Sequence, residues 1–194
     1  LESSEILGTQ HKPFFAIIQT ADNHRPYTIP EEDLAEFKKM NLPEDSLRQY
    51  GFVGNDEFNA FRYTDFCFSK FIDAARKEKY FNNTIFVFVG DHGIGGNASS
   101  MFPKAWTDQG LTSVHVPLLF YAPSMLKPKR TSVLSSQIDI LPSVAALCKL
   151  SYTNHTLGRN LFAQDTMKNK TDMAFIMDHD RNQFGQVWND MFYK

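Results

Sequence analysis

Asp91 and His92 stand side by side where an apolar run, TIFVFVG, ends, and glycines follow them at positions 93, 95 and 96. A carboxylate oxygen and an imidazole nitrogen are both ligands for zinc or manganese. Where a chain turns off its extended path, adjacent residues can reach one ion together, or one ion each. Glycines there let the backbone bend and leave room for a substrate. The plain alternative is a capping aspartate beside a surface histidine at a β-turn. The position of the pair, directly after an apolar strand, favours the metal, because a rigid element fixes both side chains.

A second cluster, Asp22-Asn23-His24, follows another apolar run, FFAIIQT, at residues 14–20. His24 could be a metal ligand, a general acid, or a hydrogen-bond donor to an anionic substrate. It could also be a loop histidine bonded to backbone. His115, just before Val116-Pro117, opens a third apolar run and is a further candidate for the edge of the same crevice. The two cysteines, Cys67 and Cys148, both lie in apolar, helix-like surroundings and read as buried free thiols. No G-x-G-x-x-G or G-x-x-x-x-G-K-[ST] is present, so a nucleotide-binding reading has little support.

The elements that must carry these groups follow from periodicity. Residues 14–20, 84–90 and 116–122 read as short buried strands. Their apolar residues do not alternate, which is the pattern of a parallel sheet covered on both faces. Pro30 and three acids open a short helix, and residues 41–56 read as irregular surface. Apolar residues recurring every three or four positions from Phe58 to Ala75 predict a long amphipathic helix. Residues 93–113 read as a long loop. Ser135 or Ser136 caps a helix running from Gln137 to Leu150, and residues 151–165 read as loop. MAFIMD (173–178) and QFGQVWNDMFYK (183–194) predict a final β-hairpin turning near Asp180-Arg181-Asn182. The expected fold is therefore α/β: a mostly parallel sheet with helices on both faces, plus a carboxyl-terminal β-hairpin. In such sheets ligands bind beyond the carboxyl ends of the strands, where both polar clusters fall.

The 194 residues suit one domain or a large part of one, and the composition, 42% hydrophobic and 22% charged, is ordinary for a globular protein. A formal charge of −2 argues against a nucleic-acid partner. No apolar run is long enough to span a membrane, and the polar start LESSEILGTQHK does not read as a signal peptide.

Four segments in this order, KPFFAIIQTADNHRPY, RYTDFCFSKFIDAARKEKYFNNTIFVFVGDHG, HVPLLFYAP and SQIDILPSVAALC, resemble the alkaline phosphatase superfamily. The resemblance is to its sulfatase-like branch, which includes lipoteichoic acid synthases. It implies that Asp91 and His92 are metal ligands and that His24 contacts the phosphate or sulfate group; Asn23, beside His24, and His115, at the edge of the crevice, are further candidates for substrate binding. It implies a more structural part for Asp139, and a place for Tyr63 and Asp65 on a helix packed beneath the site. The implied reaction is a two-step transfer: a hydroxyl nucleophile takes the phosphoryl or sulfuryl group, then yields it to water or a second alcohol. The implied cofactor is a divalent ion, manganese or zinc rather than calcium, because calcium prefers all-oxygen shells. The implied substrate is an anionic phosphate or sulfate ester, and the implied location is extracytoplasmic, with a membrane anchor outside this stretch.

Two departures qualify the resemblance. Family members are about twice as long and carry their nucleophile and an early acidic ligand upstream. Residues 1–194 are thus expected to be a single, incomplete domain, a carboxyl-terminal half whose partner is the missing amino-terminal half of the same protein. The alternative is a non-catalytic binding or scaffold domain that retains the fold. The L-H-G stretch that phosphoethanolamine transferases carry after their Asp-His-Gly is lacking, which argues against that sub-branch.

Overall fold

The computed structural model describes residues 2–163, 172–178 and 182–194. The chain divides into two compact units, one running to Leu126 and the other starting at Lys127.

The first unit is organised around one helix. The Phe58–Ala75 pattern forms α3, Asn55–Ala75, which serves two apolar clusters. Near its middle, Tyr63, Phe66 and Cys67 meet Ile29, Leu34 and Phe37, held by a 3-10 turn at Glu31–Ala35. At its carboxyl end, Phe71, Ile72 and Ala75 pack with Tyr80, Phe81, Phe86, Phe88 and Tyr121. Helix α1, Glu2–Gly8, reaches this end through the Ser4 hydroxyl, 2.9 Å from the Tyr80 hydroxyl.

Two asparagines one turn apart on α3 fasten the preceding chain. The Asn59 amide accepts from the Met40 N–H and donates to its carbonyl, both at 2.8 Å. Asn55 does the same for Leu42, at 2.8 and 3.0 Å. Alternate residues of an extended segment present their backbone groups in one direction, so two amides spaced by one helical turn can satisfy both. Within the stretch expected to be irregular, residues 44–49 form helix α2 (Glu44–Gln49). Pro43 and two acids open it, a helix start that the surrounding turn residues mask. Leu47, 2% exposed, anchors it.

Two of the three expected strands form: β1, Phe86–Val89, and β2, Leu118–Tyr121. They pair antiparallel, Phe86 opposite Tyr121 and Val89 opposite Leu118, which corrects the parallel expectation. The reason lies in the connection. The Gly90 N–H points to the Pro117 carbonyl at 3.4 Å and the Gly93 N–H donates to the Ser113 carbonyl at 2.7 Å. The chain therefore folds back at the end of the sheet where β1 arrives, and a parallel partner would have had to cross to the other end. The supposed loop between them holds α4, Lys104–Asp108, and a 3-10 turn at Leu111–Ser113. Residues 14–20 are not a strand. No strand among the described residues pairs with them, and Phe15, Ile17 and Ile18 are 77%, 82% and 51% exposed. An apolar extended run becomes a strand only when a neighbour completes its hydrogen-bond ladder.

The second unit is a capped helix and a three-stranded antiparallel sheet. Ser136 caps a 3-10 turn, Gln137–Asp139, that leads into α5, Ile140–Leu147. The cap is reciprocal: the Ser136 hydroxyl takes an N–H at the start of the helix, and the Asp139 carboxylate takes the Ser136 N–H at 2.8 Å. Asp139, 2% exposed, also accepts the Arg159 N–H at 2.8 Å, and the Arg159 side chain reaches the Leu134 and Met173 carbonyls. That supports the structural part expected for Asp139. Strands β3, Met173–Asp178, and β4, Gln183–Trp188, pair as expected, and a short β5, Met191–Tyr193, adds to β4. The expected turn residues Asp180 and Arg181 lie outside the described residues, as do the last residues of the expected loop at 151–165. Both cysteines are free, but Cys148 is exposed rather than buried. It follows α5 as a cap residue, outside the face the helix packs.

Candidate metal and anion site

The site lies wholly within the first unit. His24 sits in a turn after the extended run 14–20. Its N–H donates to the Ala21 carbonyl at 3.1 Å, and its carbonyl accepts the Tyr27 N–H at 2.9 Å. Helix α3 holds this turn from below at two points. The Thr64 hydroxyl donates to the Asn23 side-chain oxygen at 2.8 Å, and the Tyr27 hydroxyl donates to Glu57 at 3.0 Å. Glu57 also takes the Val53 N–H at 2.8 Å, so one carboxylate ties two loops to the helix.

Asp91 and His92 follow the end of β1. The Asp91 carboxylate accepts the His92 N–H at 2.9 Å, a local turn that folds the pair back on itself. His92 Nδ1 lies 2.9 Å from the Gly93 carbonyl. A carbonyl can only accept, so Nδ1 carries the proton and Nε2 keeps its lone pair for a ligand. Gly93 is fixed by its neighbours. A Cβ built on it would stand 2.2 Å from the Thr112 carbonyl oxygen and 2.7 Å from that of His115. Farther along, Gly96 presses on the Gly51 carbonyl, and the Ser100 N–H donates to the Gln49 carbonyl at 3.1 Å. The end of α2 therefore anchors the loop that leaves the site.

These two loops meet. The His24 and His92 rings stand 5.7 Å apart at 66°, and His92 Nε2 is 3.9 Å from the Asp91 carboxylate. His24, Asp91 and His92, all exposed, place one ligand atom each within 4.8 Å of the others. Around a tetrahedral zinc-sized ion, donor atoms stand about 3.4 Å apart. Small rotations of exposed side chains close that difference. Two imidazoles and one carboxylate are a donor set that a divalent metal ion can use.

The other sequence candidates fall differently. Asn23 adjoins His24 and is the link to α3. His115 comes near through its backbone, at Gly93, while its ring stands edge-on to Phe102 and Trp106 at 5.3 and 5.2 Å. Those two rings stack on each other at 4.9 Å. Desolvation in this aromatic setting holds the His115 pKa below the usual histidine value. Tyr63 and Asp65 do not support the site directly. The Tyr63 hydroxyl donates to Asp33, and burial together with that carboxylate pushes its pKa well up. Asp65 is exposed and lines a groove of about 720 Å³ with Phe52, Phe58 and Arg62. Thr64, between them, is the residue that reaches the site. Thr64 and Glu57 were missed in the sequence because each reads as an ordinary helix position.

The sequence profile of the Sulfatase family matches residues 2–150. The chain is 26% identical over 171 residues to lipoteichoic acid synthase 1 of Bacillus subtilis (strain 168), covering 84% of this chain and 25% of that protein. It is 22% identical over 178 residues to lipoteichoic acid synthase of Staphylococcus aureus (strain USA300), with the same coverage of 84% and 25%. The chain thus spans about a quarter of the length of these relatives, 25% in each case. In fold it is similar to a protein of the alkaline phosphatase superfamily from Vibrio parahaemolyticus, with a TM-score of 0.68 and 24% identity. That match covers 98% of this chain and 41% of the other. Sulfatase-family members generally use divalent metal ions. An α/β chain whose family match takes in both loops of the His24–Asp91–His92 cluster is a member of the Sulfatase family.

Proposed function

We propose that this chain forms part of a metal-dependent enzyme that transfers or hydrolyses a phosphoryl or sulfuryl ester. The observation that carries the reading is the convergence of His24, from one loop, on Asp91 and His92, from another. Asp91 and His92 are the metal ligands, and His24 lends the same ion a third donor until substrate binds. A divalent ion bound there supplies positive charge against the transferring group. Manganese or zinc suits the donor set. His24 donates to a non-bridging oxygen or to the leaving group, as an oriented N–H does wherever negative charge builds. Asn23 is a further contact to the anion through its amide group, whereas His115 borders the site through its backbone, its ring being taken up by Phe102 and Trp106. The substrate is an anionic phosphate or sulfate ester.

The two units belong to one sulfatase-like domain, in keeping with a family match that runs past Leu126 into the second. The nucleophile and the remaining acidic ligand come from another part of the same protein, as the much greater length of the relatives suggests. Placement outside the cytoplasm with a membrane anchor outside residues 1–194 rests on those relatives, whose names concern lipoteichoic acid. Among the described residues no helix is long and apolar enough to cross a membrane.

Calorimetric titration of the chain with manganese, zinc and calcium tests the reading. Tight binding of manganese or zinc, abolished in His92→Ala and in Asp91→Ala, is the expected result. Equal affinity in the wild type and in both variants would sink it.

A further inference from the structure

We infer that Thr64 is a positioning residue for His24, acting through Asn23; this rests on the reading of His24, Asp91 and His92 as one cation site. Thr64 is buried, 9% exposed, in the middle of α3. Its hydroxyl has one hydrogen and two acceptors within reach: the Asn23 side-chain oxygen at 2.8 Å and the Ala60 carbonyl at 3.2 Å. The nearer acceptor belongs to the loop. The other is the carbonyl one turn back, the usual resting place of a mid-helix threonine. Thr64 thus gives its hydrogen to a residue far along the chain, and that residue immediately precedes His24.

Geometry makes the link consequential. The turn from Ala21 to Tyr27 is held by short backbone bonds, so it moves as a unit. Two side-chain bonds fix it to α3, Thr64 on Asn23 and Tyr27 on Glu57. The Tyr27 bond lies three residues beyond His24, and the Thr64 bond is next to it. Removing the nearer one leaves a single hinge, about which the His24 ring can swing away from His92. Asn23 is only half-buried, so water can take the place of the lost donor, and the loop is freed without the core opening.

The test compares Thr64→Val, which keeps the shape and loses the donor, with Thr64→Ser, which keeps the donor. Two readouts are made on the full chain. The first is the nuclear Overhauser contact between His24 and His92 ring protons without added metal. The second is cobalt(II) titration followed by its visible absorption, with His92→Ala as the control for the cation reading. The expected result is that Thr64→Val loses the ring contact and binds cobalt about tenfold more weakly, at an unchanged melting temperature. Thr64→Ser retains both. An intact ring contact in Thr64→Val overturns the inference. So does equal loss in Thr64→Ser, or a loss that tracks a lowered melting temperature in both variants. If the wild type binds no cobalt but the ring contact follows the valine–serine pattern, the cation reading falls and the positioning role of Thr64 stands.

Discussion

At the level of single residues, the candidate site depends on a few atoms that tolerate no addition. Gly93 is the clearest. Carbonyl oxygens of Thr112 and His115 occupy the space where a side chain would begin. Gly93→Ala must push the Asp91-His92 turn away from the 112–115 segment and break the Gly93–Ser113 bond. We expect a loss of about 1–3 kcal/mol in urea unfolding. A fall in manganese affinity larger than that of a remote surface alanine should accompany it. His115 gives a pH prediction. Its ring is desolvated against Phe102 and Trp106, so its folded pKa lies below the unfolded value. The unfolded chain then binds the proton first, and stability falls as pH drops below about 6.5. Thermal melts from pH 7.5 to 5 should show that slope in the wild type and a shallower one in His115→Phe. His24, Asn23 and the Asp91-His92 pair were legible in the sequence because each cluster ends an apolar run, where polar residues have no core to serve. Thr64 was not. A threonine on a periodic helix face looks like any half-buried position, and only its partner far along the chain reveals what it holds.

At the level of elements, the helices were easier to read than the strand partners. Alpha3 follows from its phenylalanine spacing and α5 from the serine at its start. Ser136 does more than cap: its hydroxyl also accepts the Phe175 N–H and so joins the helix start to β3. Ser136→Ala should cost about 1 kcal/mol, and a Ser136→Asp replacement should recover part of it. Asp139→Ala should cost more, about 3 kcal/mol, because it takes the acceptor from both the Ser136 N–H and the Arg159 N–H. Both are measured by chemical denaturation, the second unit followed through Trp188. Strand direction was not legible. An unbroken apolar strand says that both faces are covered, not which way its neighbour runs. That was decided by two backbone bonds, at Gly90 and Gly93, that bring the chain back to the same end of the sheet. Residues 14–20 carry a strand's composition without a strand's partner, a distinction no local pattern contains.

At the level of the molecule, apolar surface is the dominant feature. Besides Phe15 and Ile17, one face of the carboxyl-terminal sheet carries Met173, Met177, Phe184, Trp188 and Met191, between 38% and 65% exposed. The ladder register puts Met173 opposite Trp188, Trp188 opposite Met191, and Met177 opposite Phe184, so these side chains share one side. A soluble monomer seldom presents so large an apolar surface. In sedimentation velocity at tens of micromolar the chain should therefore self-associate, and Phe15→Lys with Ile17→Lys should shift it toward monomer. A sharp monomer peak for the wild type would contradict this.

The two halves of the proposed metal site come from loops that only folding brings together. In the unfolded chain, His24 is an isolated imidazole with no nearby companions, so the native form alone offers the full donor set. An ion that fits is then a cross-link as well as a reagent. At a hundred times its dissociation constant it adds about 2.7 kcal/mol to stability. The melting temperature should climb steadily with manganese concentration, and chelation should return it to the starting value.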